Sequence, residues 1–291
     1  MKEILMIGFQ FIFLCATFCH GDLEERIVSL TEEISKDPSN SLLYFKRGRL
    51  YQQHEEPDRA LADYIKAETF GYSNKIVFFR QAEIYLEMNF FHSGIASTEK
   101  YMLQDSQDIK IHKLRGVLFS GLKDYDNAIS SFRFVIEKTK KLPTSKTGIR
   151  PENFLQLSEA YLKKDSSLVD SALLVIEDGL SVLGENVFFL QLKKLDYLKI
   201  QGDEEKILCQ FDYFIESYNR KEKWHFRKAK FLFGQKKYSA SNESLKYASL
   251  FYQQLPLRLQ KKKATQKLND EINILKNKII IHENFPKADL H

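Results

Sequence analysis

The chain has 291 residues, 13% aromatic and 43% hydrophobic, which excludes a disordered polymer because this much apolar surface offsets the entropy lost on ordering. With 12 Gly and 6 Pro it is poor in turn residues, and apolar side chains recur at helical spacing, so all-β and Rossmann-type folds are set aside. The formal charge of +5 is unevenly spread: residues 220–291 carry 17 Lys and Arg against 6 Asp and Glu, whereas 22–219 carry 26 against 32.

At the N-terminus, Lys2 precedes an apolar run from Ile4 to Phe18 and the acidic exit Asp22-Leu23-Glu24-Glu25. A charged start, a run shorter than the ~20 residues of a membrane span and a polar exit read as a signal peptide over 1–21, cleaved near residues 19–21. The chain is therefore expected to be exported, periplasmic or secreted, and bacterial; a retained anchor is the alternative. In that setting the basic C-terminal region suits a protein partner or the surface of an anionic membrane, and no nucleic acid is expected. Cys15 and Cys19 fall in the leader, which leaves Cys209 unable to form an internal disulfide. Its run, Ile207-Leu208-Cys209-Gln210-Phe211, predicts a small buried hydrophobe.

Leu23 to Ser35 reads as a capping helix, with Ile27, Leu30 and Ile34 on one stripe and Asp37-Pro38 as its stop. From residue 41 the chain repeats itself. Gly48, Ala82 and Gly116 are 34 apart, and so are Tyr51, Tyr85 and Phe119. The first unit, 41–74, alternates aromatic and small residues at Tyr44, Gly48, Tyr51, Ala60, Tyr64 and Ala67. The second, 75–108, keeps Phe78, Ala82 and Tyr85 but departs at Gly94, Thr98 and Tyr101; the third, 109–138, keeps Gly116, Phe119, Tyr125, Ala128 and Phe132. A polar linker is expected over 139–150, then three degenerate units over 151–253. These retain Phe154, Leu157, Ser158, Tyr161, Ala172, Ile176 and Gly179; then Tyr197, Phe211 and Phe214, with Lys194 at a small-residue position; then Trp224, Ala229, Tyr238, Leu245 and Ala248. In the last region, 254–291, Leu257 to Ile281 reads as one long helix with a stripe of Leu268, Ile272, Leu275 and Ile279. It serves either as a cap or as an amphipathic arm reaching a partner or a second copy.

The period and the aromatic and small positions resemble the tetratricopeptide repeat (TPR) family, closely over 41–138 and loosely over 151–253. The resemblance implies an all-α, right-handed α-solenoid of about six helical hairpins with N- and C-terminal caps. It also implies a non-enzymatic scaffold or adaptor whose first helices line a concave groove for a protein or peptide. Counted from the small residue, the groove positions are Leu42, Phe45, Arg49 and Gln52; Ile76, Phe79, Glu83 and Leu86; and Lys110, Lys113 and Val117. Phe45 and Phe79 occupy equivalent positions and either open pockets for a ligand or pack on the next unit. One subclass of the family binds acidic chaperone tails through a clamp of Lys and Asn. Here Phe45, Arg49 and Arg80 replace three clamp residues and only Lys110 remains, so that activity is not expected.

The chain carries no HExxH, CxxC or GxSxG, and the nearest phosphate-loop match, Gly116 to Lys123, misplaces its lysine. No catalytic residue, metal ligand or cofactor is expected. Two rivals stand beside the adaptor: a structural module that self-associates through the C-terminal helix, and an accessory subunit of an envelope enzyme complex.

Overall fold

A 34-residue period shared by two helices and two short turns leaves about 13 residues for each helix, and the chain adopts helices of that length. The computed structural model describes residues 22–141 and 148–284. The predicted leader 1–21, part of the predicted linker and the last seven residues lie outside it. Two compact units divide between Leu168 and Val169, and no strand occurs among the described residues.

The first unit contains α1 (22–36), α2 (Ser41–Gln53), α3 (Pro57–Thr69), α4 (Ile76–Glu87), α5 (Phe91–Gln104), α6 (Ile109–Gly121), α7 (Tyr125–Lys140) and α8 (Pro151–Lys164), then a 3-10 turn, Ser166–Leu168. Hairpins α2–α3, α4–α5 and α6–α7 pack on one another through α3 against α4 and α5 against α6, and α8 packs on α7. The helices on either side of the expected linker 139–150 thus share an interface, and the two compact units divide further along the chain.

The second unit contains α9 (Val169–Leu183), α10 (Phe188–Gln201), α11 (Glu204–Ser217), α12 (Lys221–Gly234), α13 (Tyr238–Gln253), α14 (Leu257–Gln260) and α15 (Lys263–Asn284). Each of α9 to α12 packs on its successor, and α15 lies against α12 and α13. The single long C-terminal helix expected from the sequence is broken: after Pro256 the short α14 ends at Gln260, and α15 begins at Lys263. Its stripe behaves as a cap. Ile272, Leu275 and Ile279 are buried with Phe226, Ala229, Leu245 and Ala248.

The repeat is written in the backbone as well as the side chains. Glu55, Asn89 and Lys123, again 34 apart, all have positive φ, at 59°, 61° and 62°. Each follows the first helix of a hairpin. The next N–H then turns back to a helical carbonyl: Glu56 to Tyr51 at 2.9 Å, Phe90 to Tyr85 at 2.8 Å and Asp124 to Phe119 at 2.9 Å. This left-handed cap satisfies carbonyls that a helix end would otherwise leave open.

Packing explains the alternation of small and aromatic residues. A Cβ on Gly48 would stand 2.9 Å from the Tyr64 ring, and one on Gly116 would stand 2.5 Å from that of Phe132. At the matching positions of the second hairpin, Ala82 accompanies the smaller Thr98, so a lost ring is balanced by an added methyl. Ala60, Tyr64, Ala67, Ala82 and Ala128 are fully buried, Tyr44, Phe119 and Phe132 nearly so, and Tyr51 and Tyr85 are half-buried. Gly94, Thr98 and Tyr101, which departed from the sequence pattern, are buried too. Cys209 is a second correction. It is exposed, because Ile207, Gln210, Phe211 and Phe214 take the inward stripe of α11 and residue 209 falls on the opposite side.

Candidate peptide-binding site

The groove positions lie on α2, α4 and α6, and burial separates them. Phe45 is core: it is 7% exposed, stacks on Tyr72 with ring centres 4.5 Å apart, and tilts against Tyr64 at 5.8 Å. This settles the choice left open for Phe45 in favour of packing. A left-handed turn brings Tyr72 there. Gly71 has φ of +84°, and the Tyr72 N–H returns 2.9 Å to the Ala67 carbonyl, which folds the aromatic back over α2. The equivalent Phe79 has no such lid. It is half-buried, its ring 6.1 Å from that of Tyr101.

Leu42 and Arg49 are exposed, whereas Ile76, Glu83, Leu86, Lys113 and Val117 are half-buried and Lys110 is exposed at the start of α6. Asp108 caps that helix, its carboxylate accepting from the Lys110 N–H at 2.8 Å. Gln52 is held by the Tyr64 hydroxyl, which donates to its Oε1 at 2.8 Å. Burial pushes that hydroxyl's pKa well above the usual tyrosine range, while the charges of Arg80 and Arg49 pull it back. Burial raises Tyr72 as well, again opposed by Arg49. Arg80 donates to Glu83 at 2.7 Å, and its buried Nε has no hydrogen-bond partner. The face therefore offers partly exposed apolar groups at Leu42, Ile76, Phe79 and Leu86, beside cations at Arg49, Lys110 and Lys113. Such a pattern accepts the side chains of an extended segment while pairing its carbonyls or carboxylates.

Two further clefts were not predicted. One of about 410 Å³, between α1 and α2, is lined by Arg26, Ser29, Leu30, Lys46, Arg49, Leu50 and Gln53. The other, about 590 Å³, lies between α10 and α12 in the second unit and is lined by Leu192, Leu195, Asp196, Lys199, Arg227, Lys230 and Phe231. The signal for it was present: counting one residue past Ala229, as Arg49 is one past Gly48, gives Lys230. Lys194 hid the α10 half, standing where a small residue was expected; it pairs with Glu177 of α9 at 3.0 Å.

Among the described residues no group of three His, Cys, Asp or Glu is placed to hold a metal ion, and no helix is long and apolar enough to cross a membrane. His112 stacks on Phe134 and donates from Nε2 to the Ser106 carbonyl at 2.9 Å, a packing role.

No family model matches the chain. Human Tetratricopeptide repeat protein 28 is 28% identical over 106 residues, which is 36% of this chain; the match spans only 4% of that relative's length. Solved structures extend the likeness. The C-terminal part of a TPR repeat-containing protein from Cytophaga hutchinsonii aligns with a TM-score of 0.58 at 15% identity, covering 90% of this chain and 95% of that one. A tetratricopeptide repeat protein from Parabacteroides merdae gives 0.53 at 14% identity, covering 89% and 94%. YrrB, described as a TPR protein with an unusual peptide-binding site, gives 0.51 at 16% identity, covering 64% and 91%. The all-α helical-hairpin fold is thus that of tetratricopeptide repeat solenoids.

Proposed function

We propose that this chain, which has the fold of tetratricopeptide repeat solenoids, is a non-enzymatic scaffold that holds an extended segment of a partner protein across α2, α4 and α6. The observation that carries the reading is the row of partly exposed Leu42, Ile76, Phe79 and Leu86 beside Arg49, Lys110 and Lys113. Ile76, Phe79 and Leu86 pack on the hairpin cores with part of their surface and leave the rest, with Leu42 and the cations, open to a ligand. The peptide-binding site of YrrB supports a peptide as the ligand class. Export rests on the leader 1–21, and the scaffold then works in the periplasm or outside the cell.

The test is selection from a displayed peptide library on the chain from Asp22, beside an Arg49→Glu/Lys110→Glu variant. Peptides retained by the wild type and lost from the folded variant are the expected result. Equal retention by both would overturn the assignment to this face. For export, sequencing the N-terminus of the protein recovered outside the cytoplasm should find a start near residues 20–22; an intact Met1 in the cytoplasm would contradict it.

A second reading, self-association, is favoured by one observation: α15 exposes Ile274, Ile280 and Ile281 outside its buried stripe. Should sedimentation show a dimer that Ile274→Glu/Ile281→Glu converts to a monomer, this surface joins two copies. A wild-type monomer at high concentration would sink that reading.

A further inference from the structure

Lys199 of α10 and Arg227 and Lys230 of α12 converge on the cleft in the second unit, over a floor that includes Leu192 and Phe231, with Asp196 as its one carboxylate. The other ion pairs of this region are made elsewhere: Lys194 with Glu177, Lys206 with Asp203, Lys228 with Asp212 and Lys237 with Glu204. The three cleft cations have no carboxylate within ion-pair distance among the described residues. Aromatic rings position them instead. Arg227 lies 4.6 Å from the centre of the Trp224 ring, Lys199 lies 5.3 Å from that of Phe211, and Lys230 lies 5.7 Å from that of Phe226. Desolvation by the cleft wall holds the Lys199 ammonium below its ordinary pKa; Asp196 opposes this and the like charge of Arg227 adds to it. The cleft thus concentrates positive charge that its own residues leave largely uncompensated, and a ligand carboxylate would relieve it.

We infer that the α10–α12 cleft is a second binding site, separate from the α2–α6 face, for an acidic peptide segment bearing an apolar side chain beside its carboxylates. The carboxylates pair with Lys199, Arg227 and Lys230, and the apolar side chain covers Leu192 and Phe231. A peptide fits better than a polyphosphate or a membrane. Asp196 stands among the cations and repels a dense row of phosphates, the cations line a recess rather than a plane, and the apolar floor gains nothing from a phosphate. The inference does not depend on the α2–α6 groove.

The experiment uses the chain from Asp22 and fluorescein-labelled Glu-Glu-Phe-Glu-Glu, with Gln-Gln-Phe-Gln-Gln as its neutral counterpart, read by anisotropy. The acidic peptide should bind at least tenfold more tightly than the neutral one and weaken between 50 and 200 mM salt. Arg227→Gln/Lys230→Gln should lose at least tenfold in affinity, with an unchanged helical melt, while Lys261→Gln/Lys262→Gln, at exposed lysines outside the cleft, binds normally. Trp224, the one tryptophan, should also change its emission when the acidic peptide binds. Equal affinity for the two peptides, no binding of either, or an unaffected double variant would overturn the inference. So would phosphatidylserine vesicles or duplex DNA that bind more tightly than the peptide and are lost in the same variant, since the cleft would then serve a different anion.

Discussion

Arg47 of α2 and Asp63 of α3 meet inside the first hairpin as a bidentate pair, Nε to Oδ2 at 2.7 Å and Nη2 to Oδ1 at 2.8 Å. Their side chains are only 12% and 4% exposed. The hydrogen bond to Asp63 raises the arginine's pKa further above its ordinary value, and Arg47 Nη1 also reaches the Thr31 hydroxyl of α1 at 3.0 Å. One period later the same positions hold Gln81 and Ser97, with the serine hydroxyl 3.4 Å from the amide oxygen. A polar link between the two helices of a hairpin is retained while its charge is dropped. Removing one charge strands the other, so Arg47→Met should cost about 3 kcal/mol in urea unfolding, and Arg47→Met/Asp63→Leu should recover most of it. A single variant within about 1 kcal/mol of wild type would mean that the pair contributes little.

The left-handed turn residues give a prediction of opposite sign. Lys123 holds φ of 62° without glycine's freedom, a conformation that costs an L-residue roughly 1 kcal/mol. Lys123→Gly should therefore stabilise the protein by up to about 1 kcal/mol, and Glu55→Gly likewise. Gly71→Ala, at φ of +84°, should destabilise. Thermal melts of the three variants check the sign.

Steric matching between Gly116 and Phe132 can be tested by exchange. With a new Cβ 2.5 Å from the ring, Gly116→Ala should cost about 1–3 kcal/mol. Phe132→Leu placed beside it should return part of that loss, because the second hairpin already combines Ala82 with a smaller partner. A double variant whose losses simply add would show that the two residues do not contact each other in this way.

His225 makes stability depend on pH. Its ring stacks on Tyr247 and Phe251, each 5.3 Å away. Burial lowers its pKa from 6.5 to about 4; Lys228 and Lys221 add to the shift and Asp212 opposes it. The folded state thus keeps this imidazole neutral where the unfolded chain would protonate it. The associated stability is complete above pH 6.5 and is lost as pH falls toward 4, by an amount on the order of 2 kcal/mol after allowance for partial exposure. His225→Phe should lose less stability between pH 7 and pH 4.5 than the wild type does. Parallel losses in the two proteins would contradict this assignment.

Helical hairpins were legible wherever packing demanded both a fixed size and a fixed spacing, as at Gly48 with Tyr64 and Gly116 with Phe132. Three features escaped because they depend on direction or on distant chain. Phe45 looked like a groove residue until Tyr72, placed by the turn at Gly71, covered it. Cys209 looked buried because its neighbours in sequence are apolar, although helical geometry turns it outward. The α10–α12 cleft escaped because Lys194 broke the register from which inward positions were counted. The break between α14 and α15 falls at the first of three consecutive lysines, which a hydrophobic stripe does not register.

The central claim is that the first helices of the first unit, not the second helices, hold the partner. Photo-crosslinking residues placed singly at Leu42, Arg49 and Lys110 on α2 and α6, and at Arg59 and Ala62 on α3, test it in the cells that make the protein. The expected result is one partner protein captured from all three first-helix positions, with the adducts mapping to a single segment of it, and nothing captured from α3. Capture of that partner from Arg59 and Ala62 alone, or equally from both sets of positions, would contradict the account.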